Sequence, residues 1–106
     1  MEENNQEPHQ LIIDDELDLH MFKAKDVKDL IPDYLEECRE QGILFVRIIH
    51  GKGLRSGHRG PVLKGAVSSV LRRIGPVLAY VSARQVDGGT GAVYVLLATW
   101  KGSSRP

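Results

Sequence analysis

Two short histidine-bearing stretches carry the residue types that can move protons: Leu17-Asp18-Leu19-His20 and His50-Gly51-Lys52-Gly53. A carboxylate two residues before a histidine can orient or activate its ring, and imidazole titrates near neutrality, so it can take or give a proton in water. His50 leads into two glycines that flank a lysine. Successive backbone N–H groups in such a turn form an anion nest, to which Lys52 adds a positive charge. Arg55, His58 and Arg59 follow, so this loop suits phosphate groups. Each feature also has a plainer reading. Asp18 can cap the approach to a helix, His20 can be a turn histidine, and the glycines can simply permit positive φ.

A second glycine cluster, Gly88-Gly89-Thr90-Gly91, reads first as a loop between antiparallel strands. Its second reading is close approach of a nucleic-acid strand to the backbone at Gly88 and Gly89. Phe22 is the side chain best placed to stack on a base, with Met21 as an apolar contact, whereas Tyr94 and Trp100 read as packing residues. Basic loops without an aromatic platform favour contact with the phosphate backbone over base reading.

Other chemistries fit less well. Ser56, Ser68 and Ser69 lie in no nucleophile-elbow pattern, and there is neither a P-loop nor a dinucleotide-binding glycine motif. Asp18, His20 and His50 could ligate a metal, but their spacing does not diagnose one. A divalent cation, Mg²⁺ or Mn²⁺, is the one cofactor left open. Cys38 is the sole cysteine, which permits no internal disulfide and no cysteine zinc site. A reducing, cytoplasmic setting is the expectation. No apolar run reaches the ~18–20 residues of a membrane span, and the start MEENNQEPHQ lacks the basic and apolar regions of a signal peptide.

The elements that must hold these groups follow from the patterning of the 106 residues, a length that suits one domain. Formal charge is zero but divided. Residues 1–40 hold thirteen acids and four bases, a net of −9, and the remainder holds ten bases and one acid, a net of +9. Such a split points to a polyanion-binding face, or more plainly to a helix with an acidic wet side. Leu17–His20 reads as a first strand, with Leu17 and Leu19 on one face and Asp18 and His20 on the other. A helix from about Lys25 to Gln41 carries the apolar stripe Val27, Leu30, Ile31, Tyr34, Leu35, Cys38 and stops at Gly42. Cys38 reads as core. Pro32 predicts a kink or a late start. Ile43–Ile49 is nearly all apolar, as in a strand covered on both faces. Pro61 opens a second helix whose stripe is Leu63, Ala66, Val67, Val70, Leu71 and Ile74. Strands over Val77–Ala83 and Ala92–Thr99 complete the order β-α-β-α-β-β.

The fold expected from this order is α/β, an α+β two-layer sandwich. Its four-stranded mixed sheet carries two main helices on one face, the last strand running antiparallel. Residues 1–15 form an acidic arm, 16–100 the domain and 101–106 a tail. In open α/β sheets ligands bind beyond the carboxyl ends of the parallel strands. Both histidine motifs lie there, so Asp18, His20 and His50 are expected to meet in one cleft. Arg47, Lys64, Arg72 and Arg73 extend the positive field.

With Leu17-Asp18-Leu19-His20, an acidic amphipathic helix and then His50-Gly51-Lys52-Gly53, in that order and spacing, the chain resembles the small MutS-related (Smr) domain. The run Gly88-Gly89-Thr90-Gly91-Ala92 is similar to that family's third signature. The resemblance spans about residues 16–98 and suggests a stand-alone short member. Met21 stands where many members have glycine, and Leu54 to Gly60 lengthen the approach to the second helix. The resemblance implies a sandwich like the C-terminal domain of a bacterial translation initiation factor. It also implies nucleic-acid binding, with endonuclease or nicking activity in several members. By motif match, Asp18 and His20 are the cleavage residues, and His50, Gly51, Lys52 and Gly53 form the substrate loop. The combined expectation is a monomeric endonuclease on DNA or RNA, with Asp18, His20 and His50 catalytic. Gly51, Lys52, Gly53, Arg55, Arg59, Gly88 and Gly89 would hold phosphate. The competing expectations are a non-catalytic nucleic-acid-binding module that serves RNA or ribosomes, and a protein-interaction domain that uses the acidic helix.

Overall fold

The computed structural model describes residues 13–51, 59–83 and 91–99. Lys52, Gly53, Arg55, Gly88 and Gly89, with the arm through residue 12 and the tail from residue 100, lie outside the described residues. The elements are β1 (Asp15–Asp18), α1 (Ala24–Glu40), β2 (Phe45–Ile49), α2 (Arg59–Leu71), β3 (Val77–Ser82) and β4 (Ala92–Leu97). The sheet order is β1-β2-β4-β3. β1 and β2 are parallel, and β4 runs antiparallel to both β2 and β3, as the short β3–β4 connection requires.

Helix α1 forms because Val27, Ile31, Leu35 and Cys38 recur on one side and are all buried. At its start the Lys23 N–H donates to the Asp26 carboxylate over 3.1 Å, an acid that the helix dipole favours in the first turn. At its end Gly42 adopts φ 79. Its N–H reaches the Arg39 carbonyl (3.0 Å) while the Ile43 N–H reaches that of Cys38 (2.8 Å), a Schellman closure that favours glycine. The late start expected from Pro32 does not occur, since the helix begins at Ala24 and continues past the proline. Buried residues on both sides of Pro32 hold the two halves against the sheet, which outweighs one missing backbone bond. Helix α2 likewise begins at Arg59, two residues before Pro61. The proline then falls in the first turn, where no N–H has an intrahelical partner.

Both helices cover one face. Leu19, Val46, Ile48, Leu63, Val67, Leu71, Val93 and Val95 meet the α1 stripe there in the main core. The opposite face carries a smaller cluster of Ala83, Ala92 and Tyr94, against which Ile13, Phe45 and Ile49 pack. The Phe45 and Tyr94 ring centroids lie 5.4 Å apart. The apolar run of β2 therefore reflects helices on one side and this aromatic cluster on the other. Farther along that face Leu96 and Val81 stay exposed, because two helices suffice for one layer only. Strand β1 is set two residues earlier than the Leu17–His20 pattern suggests. The Leu19 N–H makes the last bond to β2, at the Ile49 carbonyl (2.8 Å). Among the described residues no helix is long and apolar enough to cross a membrane.

Candidate active site

The carboxyl ends of β1 and β2 lie side by side, with Asp18 opposite Ile49. Beyond this pairing the chain turns at His20, whose N–H donates to Asp18 Oδ1 over 3.0 Å. The His20 ring turns back to the same oxygen, Nδ1 lying 3.1 Å from Asp18 Oδ1. An ionised carboxylate only accepts, so Nδ1 carries the proton and Nε2 is the basic nitrogen of this tautomer. The dyad is open to solvent, with the His20 side chain 73% and the Asp18 side chain 50% exposed. The backbone bond from His20 holds the Asp18 carboxyl below its usual range, against a smaller upward push from partial burial, and the ring bond assists. Asp18 is thus ionised at neutral pH.

His50 sits one step past β2, and its setting is different. It is 4% exposed, and its Nδ1 lies 2.9 Å from the Gly51 carbonyl. A carbonyl cannot donate, so Nδ1–H is the donor and Nε2 an acceptor. Burial pushes the ring's pKa down, Lys64 pushes the same way through its charge, and the Gly51 bond opposes them. His50 is therefore neutral at pH 7. Gly51 has φ 84, and the N–H groups of His50 and Gly51 both reach the Gly91 carbonyl over 2.9 Å. The second glycine cluster thus meets the His50-Gly51 turn through the backbone at Gly91.

His50 lines a recess of about 280 Å³ between α2 and the β3–β4 side of the sheet, together with Lys64, Ser68, Tyr80 and Ser82. Asp18 and His20 do not line it. The backbone brings the three expected residues to one edge of the sheet, but their side chains divide between an exposed dyad, Asp18 and His20, and a buried His50 at the wall of a half-open recess. At the level of sequence Lys64 has only a place in the general positive field, Ser68 is set aside as a nucleophile, and nothing signals Tyr80 or Ser82. The available signal was spacing, since Lys64, Ser68 and Leu71 share one side of α2.

Other candidates resolve individually. Phe22 is half-buried and packs against the main core, while Met21 is 77% exposed. Arg47 is ion-paired with Glu16, its neighbour across the parallel β1–β2 pair, so its charge adds less to the field than expected. Arg59 opens α2, and Arg72 and Arg73 follow the helix at exposed positions. Among the described residues, no group of three His, Cys, Asp or Glu could hold a metal ion.

Comparison with known proteins bears on this arrangement. The probable DNA endonuclease SmrA of Escherichia coli strain K12 is 28% identical over 81 residues, which cover 76% of this chain and 43% of SmrA. The chain therefore spans less than half the length of that curated relative. The crystal structure of YdaL, a stand-alone small MutS-related protein from Escherichia coli, superposes with a TM-score of 0.72 at 27% identity, covering 79% of this chain and 64% of that one. The Smr domain of Thermus thermophilus MutS2 superposes with a TM-score of 0.67 at 30% identity, covering 78% of this chain and 96% of that one. The model of the Smr domain matches residues 17–98, from the strand that carries Asp18 to the end of β4, and on that match the chain belongs to the Smr domain family.

Proposed function

We propose that this Smr domain binds nucleic acid across the carboxyl ends of β1 and β2 and hydrolyses a phosphodiester bond there. His20, oriented by Asp18, is the general base. The observation that carries the reading is the 3.1 Å contact between His20 Nδ1 and Asp18 Oδ1 on an exposed turn. A water oxygen attacks phosphorus and loses its proton to His20 Nε2. The bond from phosphorus to the leaving oxygen breaks, and that oxygen takes a proton from solvent. His50, neutral and buried, positions substrate rather than shuttling protons. Both βα connections start at this edge, so the N-termini of α1 and α2 point toward it and favour an anion. Gly51, Lys52, Gly53, Arg55 and Arg59 supply phosphate contacts in this reading, with Gly88 and Gly89 alongside. DNA is the first substrate to test, because the matched relative SmrA is named as a probable DNA endonuclease, and RNA the second. The protein acts as a monomer in the cytoplasm, where the buried free thiol of Cys38 stays reduced.

The second reading is a binding module without cleavage. The same local bonds favour it, because the Asp18 carboxylate also serves the turn by accepting the His20 N–H. A single-turnover assay on labelled supercoiled DNA and on RNA, with and without EDTA, separates the two. Asp18→Ala and His20→Ala should each slow cleavage by about 10²- to 10⁴-fold while binding persists. Cleavage at the wild-type rate by both variants would remove the catalytic assignment. Binding with no cleavage by the wild type, with or without Mg²⁺ or Mn²⁺, would establish the module.

A further inference from the structure

We infer that the recess beside His50 is a nucleobase pocket that prefers bases with a lactam edge, guanine, uracil or thymine. The inference rests on the nucleic-acid reading above and names what the strand places next to the phosphate site. At about 280 Å³ the recess lies at the small end of ligand sites, a size for one ring system rather than an extended ligand. Its floor is apolar, formed by Val67, Leu71, Ala92 and Val93, all buried. Polar groups gather on the rest of the wall as Lys64, Ser68, Tyr80, Ser82 and His50.

An apolar floor with a polar side is the complement of a flat heterocycle, which has apolar faces and a hydrogen-bonding edge. A phosphate would want several cations or backbone N–H groups around it. The described lining supplies one ammonium and mostly hydrophobic surface. The donor pattern narrows the choice of base. His50 Nδ1–H is committed to the Gly51 carbonyl at 2.9 Å, so Nε2 accepts and calls for an N–H. Lys64 has three donors and no acceptor, so it calls for an acceptor; a carbonyl oxygen, with two lone pairs, can take Lys64 and a neighbouring hydroxyl together, whereas a ring nitrogen has one lone pair. Ser68 Oγ and Tyr80 OH are 3.4 Å apart, at the outer limit of a hydrogen bond, so a ligand oxygen can displace that contact at little loss. A carbonyl beside a ring N–H meets all three demands. Adenine sets its amino N–H beside a ring nitrogen with a single lone pair, and the cytosine carbonyl stands beside a ring nitrogen that carries no proton, so neither offers a carbonyl next to an N–H.

The test is titration of the isotopically labelled full chain with GMP, UMP, AMP and CMP, followed by NMR at the backbone amides of His50, Lys64, Ser68, Tyr80 and Ser82 and at the His50 ring. GMP and UMP should shift these signals with affinity about tenfold or more above AMP and CMP. Lys64→Ala, at an exposed helix position, should abolish the preference, while His20→Ala should keep it. In the strand arm, replacing one guanine or uracil of a labelled oligonucleotide by an abasic site should weaken binding at one position and leave the others unaffected. Equal or absent shifts with all four mononucleotides would overturn the pocket, as would a preference that survives in Lys64→Ala. If strands are bound and cleaved without any base preference, the pocket fails and the proposed function stands. If mononucleotides seat with the stated preference but no strand binds, the pocket stands as a free-nucleotide site and the proposed function fails.

Discussion

Gly51 and Gly42 form a matched pair of perturbations. Both have positive φ, 84 and 79, and a Cβ added at either meets no atom of the described residues within 4 Å. Replacement by alanine therefore acts through the backbone alone. Holding an L-residue in the left-handed region costs ~1–2 kcal/mol, and the loss of unfolded-state freedom returns ~0.4–1 kcal/mol. The net is a destabilisation of about 1 kcal/mol at each site, or roughly 4–8 °C in Tm for a domain near this size. The functional consequences should differ. Gly42 closes α1 just before β2 begins, away from the carboxyl ends of β1 and β2. Gly51 shares the Gly91 carbonyl with His50, both at 2.9 Å, and its carbonyl fixes the His50 ring. Calorimetry should show similar Tm losses for Gly42→Ala and Gly51→Ala, while fluorescence anisotropy with a labelled oligonucleotide should show weaker binding only for Gly51→Ala. If Gly51→Ala is as stable as wild type while Gly42→Ala is not, the positive φ at residue 51 is not required. If both variants lose stability and both bind normally, Gly51 serves the turn alone and does not position the site.

Two further outcomes follow from the same structure. Leu35, 1% exposed in the α1 stripe, should cost about 2–5 kcal/mol on replacement by alanine, read from urea unfolding; a loss below 1 kcal/mol would mean that α1 is not anchored as described. His50 is held below the 6.5 of the free ring, so the unfolded chain takes up its proton first as pH falls. Stability from this group is complete above about pH 6.5, declines as pH drops toward the folded pKa, and then levels. Tm measured from about pH 8 to about pH 5 should fall less steeply for His50→Gln than for wild type, and parallel slopes would show that the ring is not desolvated.

Much of the fold was legible because its signals are local and mutually consistent. The α1 stripe, the Gly42 stop and the antiparallel last strand each follow from spacing or loop length. The misplacements come from competition between local and tertiary terms. Pro32 disfavours a helix interior, yet Val27, Ile31, Leu35 and Cys38 bury against the sheet on both sides of it. β1 was displaced because strand alternation continues through His20 in the sequence, whereas the Asp18 carboxylate captures the His20 N–H and ends the pairing. For the site, residue types and strand ends were readable, but side-chain direction was not. His50 leaves β2 on the same side as Val46 and Ile48 and enters the recess under α2, and that depends on where α2 packs. Ser68, Tyr80 and Ser82 come from two further elements and carry no motif of their own.

The most direct measurement is photochemical cross-linking of a bound oligonucleotide to the intact protein, with the attached residues located by mass spectrometry. Adducts are expected at the β1–α1 turn around His20 and Met21, at His50 and Gly51, and on the first half of α2 near Lys64. Adducts confined to the opposite end of the molecule, around Gly42 or Arg72 and Arg73, would contradict the proposed site.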